Sequence, residues 1–222
     1  MPASRVNDRS DDPRSHASGH PCRLGRRVLL QAMGALLAAS PVRASDAASL
    51  AVPPAIGDMY LGPSAAKVTI IEYASASCPN CASFYRGTFQ DLKRAYIDTG
   101  KIRFVLREYP HNDAALAAFM LARCAPKEKY FDLIDSFFTT QSKWVRSPAD
   151  GLLNIARDHG LTPAEYQACI TDIQIADDIR SIKDKASGLG VRGVPTIFIN
   201  GQLYDGDRSF EDFQAKLDPL LR

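Results

Sequence analysis

The sequence predicts an α/β fold carrying an inserted all-helical subdomain, on three observations. A β-branched, almost continuously apolar run, Val68-Thr69-Ile70-Ile71-Glu72-Tyr73, gives way at once to helical spacing. From Asn112 to about Ser187 every signal is helical. The chain then returns to strand character at Thr196-Ile197-Phe198-Ile199.

Residues 1–44 read as an export signal. A polar stretch ends in Arg26-Arg27, an apolar run follows from Val28 to Ala39 broken only by Gln31, and Val42-Arg43-Ala44 offers a small-residue cleavage site. About 12 apolar residues fall short of the roughly 20 that span a bilayer, so a cleaved signal is expected rather than an anchor. The paired arginines before Val28, Leu29 and Leu30 resemble a twin-arginine signal, and an ordinary Sec signal is the alternative. Either places the mature chain, from Ser45, in the periplasm. Of 27 basic and 25 acidic residues, seven and three lie in this leader, leaving 20 and 22. That balance gives no footprint for nucleic acid.

Residues 45–57, rich in Ala and Pro, are expected to form an extended lead-in. The run from Val68 suits a strand covered on both faces. After Cys78-Pro79-Asn80-Cys81 the residues Cys81, Phe84, Tyr85, Thr88, Leu92 and Tyr96 recur at helical spacing, with Pro79 fitting the first turn. Ile102-Arg103-Phe104-Val105-Leu106 supplies a second buried strand, which makes a parallel strand–helix–strand unit. In the helical stretch, Ser147-Pro148-Ala149-Asp150 and Thr162-Pro163-Ala164-Glu165 each combine an N-cap, a proline at the first helical position and an acid at the third. Gly160 is placed to end the helix between them, behind His159 at that helix's C-terminal dipole. Asn200-Gly201 between two short apolar runs predicts a hairpin with a type I′ turn, and a closing helix starts near Ser209. The domain map is therefore 58–110 with 188–222 as the α/β domain and 111–187 as the helical insertion.

Five cysteines are present, and Cys22 lies in the leader. The even remainder, Cys78, Cys81, Cys124 and Cys169, permits disulfides in an exported chain. A Cys-x-x-Cys pair can equally be half of a zinc site, but no second close-spaced pair of ligands is available, so no metal is expected. At a strand-to-helix junction the first thiol lies beside unsatisfied N–H groups, whose partial positive charge favours thiolate over thiol. Cys78 is thus the candidate nucleophile, and Cys81, one turn in on the face of Phe84 and Tyr85, the shielded resolving thiol. His111 reads as a solvated loop histidine, a place near the active-site face being the alternative, and Trp144 as core of the insertion.

Glu72, six residues before Cys78, and Gly193-Val194-Pro195-Thr196 complete a pattern that resembles the thioredoxin superfamily over about residues 58–222. The resemblance implies a thioredoxin fold. Glu72 would be the buried acid that relays a proton to or from Cys81; a strand carboxylate satisfied by a neighbouring cation is the alternative. Pro195 would be the cis-proline facing the disulfide, with Val194, Pro79 and Asn80 lining the substrate site. The inserted helices and the Cys-Pro-x-Cys form resemble DsbA in particular. The resemblance also implies a structural disulfide between Cys124 and Cys169, as in some relatives, two buried free cysteines being the alternative. Asn80 stands where the best-known DsbA centre has histidine, and it offers only a neutral hydrogen bond to a thiolate. A potential between those of DsbA and thioredoxin is expected.

The implied function is a thiol:disulfide oxidoreductase that introduces disulfides into reduced, unfolded exported proteins. It would be reoxidised by a membrane partner of the DsbB type, need no cofactor and act as a monomer. A reductase or isomerase, a peptide-binding chaperone indifferent to the cysteines, and a Cu(I) carrier are the alternatives.

Overall fold

The computed structural model describes residues 44–222, and the export signal expected upstream lies outside the described residues. Five strands form one sheet: β1 (Met59–Leu61), β2 (Val68–Ala74), β3 (Ile102–Glu108), β4 (Thr196–Ile199) and β5 (Gln202–Leu203), in the order β1-β3-β2-β4-β5. β2 and β3 run parallel, as the strand–helix–strand spacing predicts, with Glu72 opposite Leu106. β4 pairs antiparallel with β2, bringing Ile197 to the other side of Glu72. Asn200 and Gly201, at φ 48° and 77°, make the left-handed pair that the type I′ hairpin requires.

Strand alternation sends successive side chains to opposite faces. Ile70 and Ala74 join a core with Phe104, Leu106, Ile197 and Ile199, while Ile71 and Tyr73 join a second core with Val105 and Phe198. Glu72 shares the parity of Ile70 and Ala74. It therefore points into the first core, on the same side as the cysteine pair.

That side is covered by α2 (Pro79–Arg86), α3 (Thr88–Leu92) and α10 (Phe210–Leu221). The single helix expected after Cys81 breaks at Gly87, whose φ of −105° and ψ of −102° leave the helical region. The break resets the buried stripe: Phe89 is fully buried while Thr88 is only half-buried. A π-helical turn, Lys93–Ile97, then restores Tyr96 to the core.

Residues 45–57, expected as an extended lead-in, instead begin with the helix α1 (Ala44–Ala51). Its alanines favour helix, and Leu50, 1% exposed, joins the second core. Pro53 and Pro54 end it. Beyond them, Arg107 pairs with Asp58 at 2.9 Å and donates to the Val52 carbonyl and the Tyr73 hydroxyl. This anchors the segment to the sheet.

The helical stretch holds α4 (Asp113–Cys124), α5 (Tyr130–Thr139), α6 (Gln141–Trp144), α7 (Pro148–Asp158), α8 (Pro163–Thr171) and α9 (Ile173–Gly188). Thr162 and Glu165 form the full capping box, whereas the Ser147 hydroxyl donates to Asp150 and caps no backbone N–H. Gly160, at φ 86°, follows the end of α7. α9 reaches back to the sheet, where Ile182 and Ala186 cover the second core. No helix among the described residues is long and apolar enough to cross a membrane.

The insertion is tied to the sheet by a buried polar cluster. Glu108, fully buried at the end of β3, accepts from both Nε and Nη2 of Arg123 on α4 and from the Tyr130 hydroxyl on α5. A buried carboxylate without such partners would cost several kcal/mol. Cys124 and Cys169 form a disulfide, with Cα atoms 5.4 Å apart, that clamps α4 to α8. Trp144, 2% exposed, is core of the insertion and donates its indole N–H to the Phe137 carbonyl at 2.8 Å.

Candidate active site

The site forms where β2 ends and α2 begins. Cys78 is the N-cap of α2, with extended backbone (φ −81°, ψ 121°), and Pro79 occupies the first turn, where a missing N–H costs nothing. The Cys78 N–H donates to the Ser75 carbonyl at 3.0 Å, and the Cys78 carbonyl accepts the first helical bond from Ala82. Residues of the strand exit thus fix the thiol at the positive end of the helix. Cys78 is 8% exposed and Cys81 fully buried, while Pro79 and Asn80 face solvent. Of the two thiols only Cys78 reaches the surface.

The Val194–Pro195 peptide bond is cis. The Cys78 thiol lies 3.6 Å from the Val194 carbonyl, to which it donates. Val194 is half-buried and Pro195 buried, so the backbone before the proline borders the reactive sulfur. The Thr196 hydroxyl donates to the Gly193 carbonyl at 2.6 Å, which tightens the turn.

Glu72 is 1% exposed, and burial pushes its carboxyl up to about 8, against a smaller opposing pull from Arg208. Burial likewise pushes the Cys81 thiol far up, and the Glu72 carboxylate adds to that rise. Two buried acids that each disfavour the other's charge are suited to sharing one proton between them. The structure therefore gathers Glu72, Cys78, Pro79, Asn80, Cys81, Val194 and Pro195 at one end of the sheet. Cys124 and Cys169 are elsewhere, in their disulfide.

Gln141 and Arg208 were not legible as site residues. Gln141, 7% exposed, donates its side-chain amide to the carbonyls of Ala76 and Cys78 at 2.8 and 3.0 Å. Its signal was helical spacing: it falls four residues after Phe137 and three before Trp144, an apolar face on which a polar residue needs a partner. Gly151 permits the neighbouring helix to pack there, since a Cβ on it would lie 2.5 Å from Trp144. His111, exposed as a loop histidine should be, also places Nε2 3.4 Å from the Ser77 hydroxyl, which donates to Asn112. Arg208, in the loop before α10, donates to the Pro195 carbonyl at 3.0 Å.

A family model described as thioredoxin matches residues 55–219. Wolbachia pipientis alpha-DsbA1 superposes with a TM-score of 0.71 at 30% identity, over 78% of this chain and 95% of that one. The chain belongs to the DsbA-like branch of the thioredoxin superfamily. A Rickettsia bellii protein, provisionally named a protein-disulfide oxidoreductase, is 33% identical to this DsbA-like chain over 168 residues. That match covers 74% of this chain and 64% of the relative, so the chain spans just under two thirds of the relative's length. Bacillus subtilis BdbD, 20% identical with a TM-score of 0.60 over 76% of this chain and 96% of that one, shares the DsbA-like fold.

Proposed function

We propose that this DsbA-like chain is an exported thiol:disulfide oxidoreductase that introduces disulfides into reduced, unfolded proteins at the Cys78–Cys81 pair. The single observation that carries the reading is the asymmetry of the pair. Cys78 sits at the helix N-terminus with 8% of its area exposed, 3.6 Å from the Val194 carbonyl, while Cys81 is fully buried on the side of Glu72.

In the oxidised enzyme a substrate thiolate attacks the Cys78 sulfur. The new intermolecular S–S bond forms as the Cys78–Cys81 bond breaks, and Cys81 leaves as a thiolate. The protonated Glu72 carboxyl supplies its proton, so no buried pair of negative charges builds up. A second substrate thiolate then attacks the substrate sulfur of the mixed disulfide and expels Cys78 as a thiolate favoured by the helix N-terminus. The substrate loses two electrons and the enzyme gains them. Val194, Pro79 and Asn80 border the approach to Cys78, and an extended substrate backbone can pair with the Val194 main chain. The dithiol is returned to the disulfide by a membrane oxidase of the DsbB type, in the periplasm.

The test is trapping. Cys81→Ser should accumulate mixed disulfides with a disulfide-bonded, unfolded substrate, because its Cys78 thiolate attacks the substrate disulfide, expels one substrate thiolate and has no resolving thiol to release it, and Cys78→Ser should form none and be inactive. Undiminished activity in both variants overturns the assignment and leaves a chaperone that does not use its thiols.

A further inference from the structure

We propose that the face of the sheet opposite the cysteine pair carries a second site: a cavity between the end of α1 and α9 that binds a small amphiphilic carboxylate, an aliphatic body with one anionic head. The site stands apart from Cys78 and Cys81 and goes beyond the exchange reaction.

Strand alternation builds its floor. Tyr73 of β2 and Arg107 of β3 are register partners, and both point away from Glu72, to the face that carries the second core. Val52 and Pro53, just past α1, and Ile182 and Leu189, on α9 and at its end, line a cavity of about 460 Å³ above them. That volume is typical of small-ligand sites. The walls are aliphatic, and Val52 is 66% exposed, an apolar side chain left in water at the rim.

The donors define the head group. Arg107 is 4% exposed, and its Nε and Nη2 protons are taken, by the two Asp58 carboxylate oxygens and the Val52 carbonyl. Nη1, which carries two protons, donates one to the Tyr73 hydroxyl at 3.1 Å. The second Nη1 proton and the Tyr73 hydroxyl proton have no acceptor among the described residues. Two adjacent donors, one of them cationic, match the two oxygens of a carboxylate. Asp58, on the other edge of the guanidinium, already balances the Arg107 charge, so a dianionic phosphate would lack the cations it needs. Lys185 supplies the charge for a monoanion: it is exposed, lines the same cavity and has no ion pair among the described residues. No Asp or Glu among the described residues lines the cavity, so nothing there repels an anion.

The probe is decanoate, titrated into the full chain and followed by amide-resolved NMR. It should shift the amides of Val52, Gly188 and Leu189 saturably. Decanol, with the same chain and no charge, should bind about tenfold more weakly, the loss of one charge-assisted hydrogen bond. Lys185→Glu, a change at an exposed position, should weaken decanoate about fivefold and leave decanol unmoved. Tyr73→Phe should also weaken decanoate more than decanol, and Leu189→Trp, which fills the cavity, should abolish both, with thermal unfolding showing that each variant is folded. Equal affinity for decanoate and decanol in wild type, or decanoate shifts confined to other residues, overturns the proposal. So does binding to phosphatidylglycerol vesicles without binding of decanoate, which would assign this face to a membrane surface.

Discussion

The side-chain amide of Gln141 lies 3.0 Å from the Cys78 carbonyl oxygen and 2.8 Å from that of Ala76, so a residue of the helical insertion holds the turn that carries the nucleophile. The bonds link positions 63 and 65 residues apart, and both are buried. The insertion is in this respect part of the active site and not merely a cover over it.

Gln141→Leu should therefore be destabilising by about 1–3 kcal/mol, the cost of taking this donor from the buried Ala76 carbonyl, the Cys78 carbonyl keeping the N–H of Ala82. Exchange at Cys78 should slow roughly fivefold, the equivalent of about 1 kcal/mol of lost positioning. Urea unfolding and stopped-flow exchange with glutathione disulfide check the two effects. A variant with wild-type stability and rate would show that α2 holds the turn unaided.

The Cys124–Cys169 disulfide closes a separation of 45 residues within the insertion, remote from the exchange pair. Replacing both cysteines by alanine should cost about 2–4 kcal/mol in urea unfolding while exchange at Cys78 persists. Oxidised wild type, denatured and alkylated, should yield no free thiol by mass spectrometry. Two alkylated cysteines would mean that these residues are not paired in the native protein.

Glu72 gives the reduced protein a specific pH dependence. Its carboxyl, raised by burial from 4.5 to about 8, holds a proton in the folded chain that the unfolded chain releases between those values. The contribution is fully present below about 4.5 and is lost as pH rises through about 8, by at most about 5 kcal/mol at about 1.4 kcal/mol per pH unit. Glu72→Gln cannot release a proton, so its stability should decline much less over the same window. Parallel urea midpoints of the two proteins from about pH 5 to about pH 9 would contradict a protonated buried acid.

Asn80 is exposed beside the reactive thiol and brings no charge to it. In Asn80→His a partly protonated imidazole would stabilise the Cys78 thiolate, which exists only in the reduced state, and so favour reduction. A charge-assisted contact of about 1–2 kcal/mol corresponds to roughly 20–45 mV more oxidising. Equilibration of both proteins in glutathione buffers measures it, and an unchanged or lower potential breaks the link between thiolate stabilisation and oxidising power.

Features governed by local chemistry were readable in the sequence. Asn200-Gly201, the Thr162 capping box, and Cys78-Pro79 at a strand-to-helix junction each rest on neighbours a few residues apart. Glu72 was readable through the resemblance, which places a buried acid six residues before Cys78, and its neighbours Ile70, Ile71 and Tyr73 make an unpartnered carboxylate there costly. What escaped depended on tertiary partners. β1 is three residues long, too short for a period, and is fixed by pairing Met59 with Leu106. The helix α1 draws its stability from Leu50 in a core made by residues far along the chain, while the nearby prolines suggested extension. Gly87 was hidden because the apolar stripe continues through it in sequence even though the backbone does not. Arg208 lies in an exposed loop with no pattern to mark it, and its place at the site comes from the Pro195 carbonyl to which it donates.

The central claim, that Cys78–Cys81 is an oxidising exchange pair, is tested most directly by its reduction potential. Known oxidants and isomerases of this kind lie at about −120 to −180 mV and thioredoxin at about −270 mV. A value within about −120 to −180 mV is expected, on the reducing side of DsbA because Asn80 contributes no charge. A value near −270 mV would contradict it and identify the chain as a reductant.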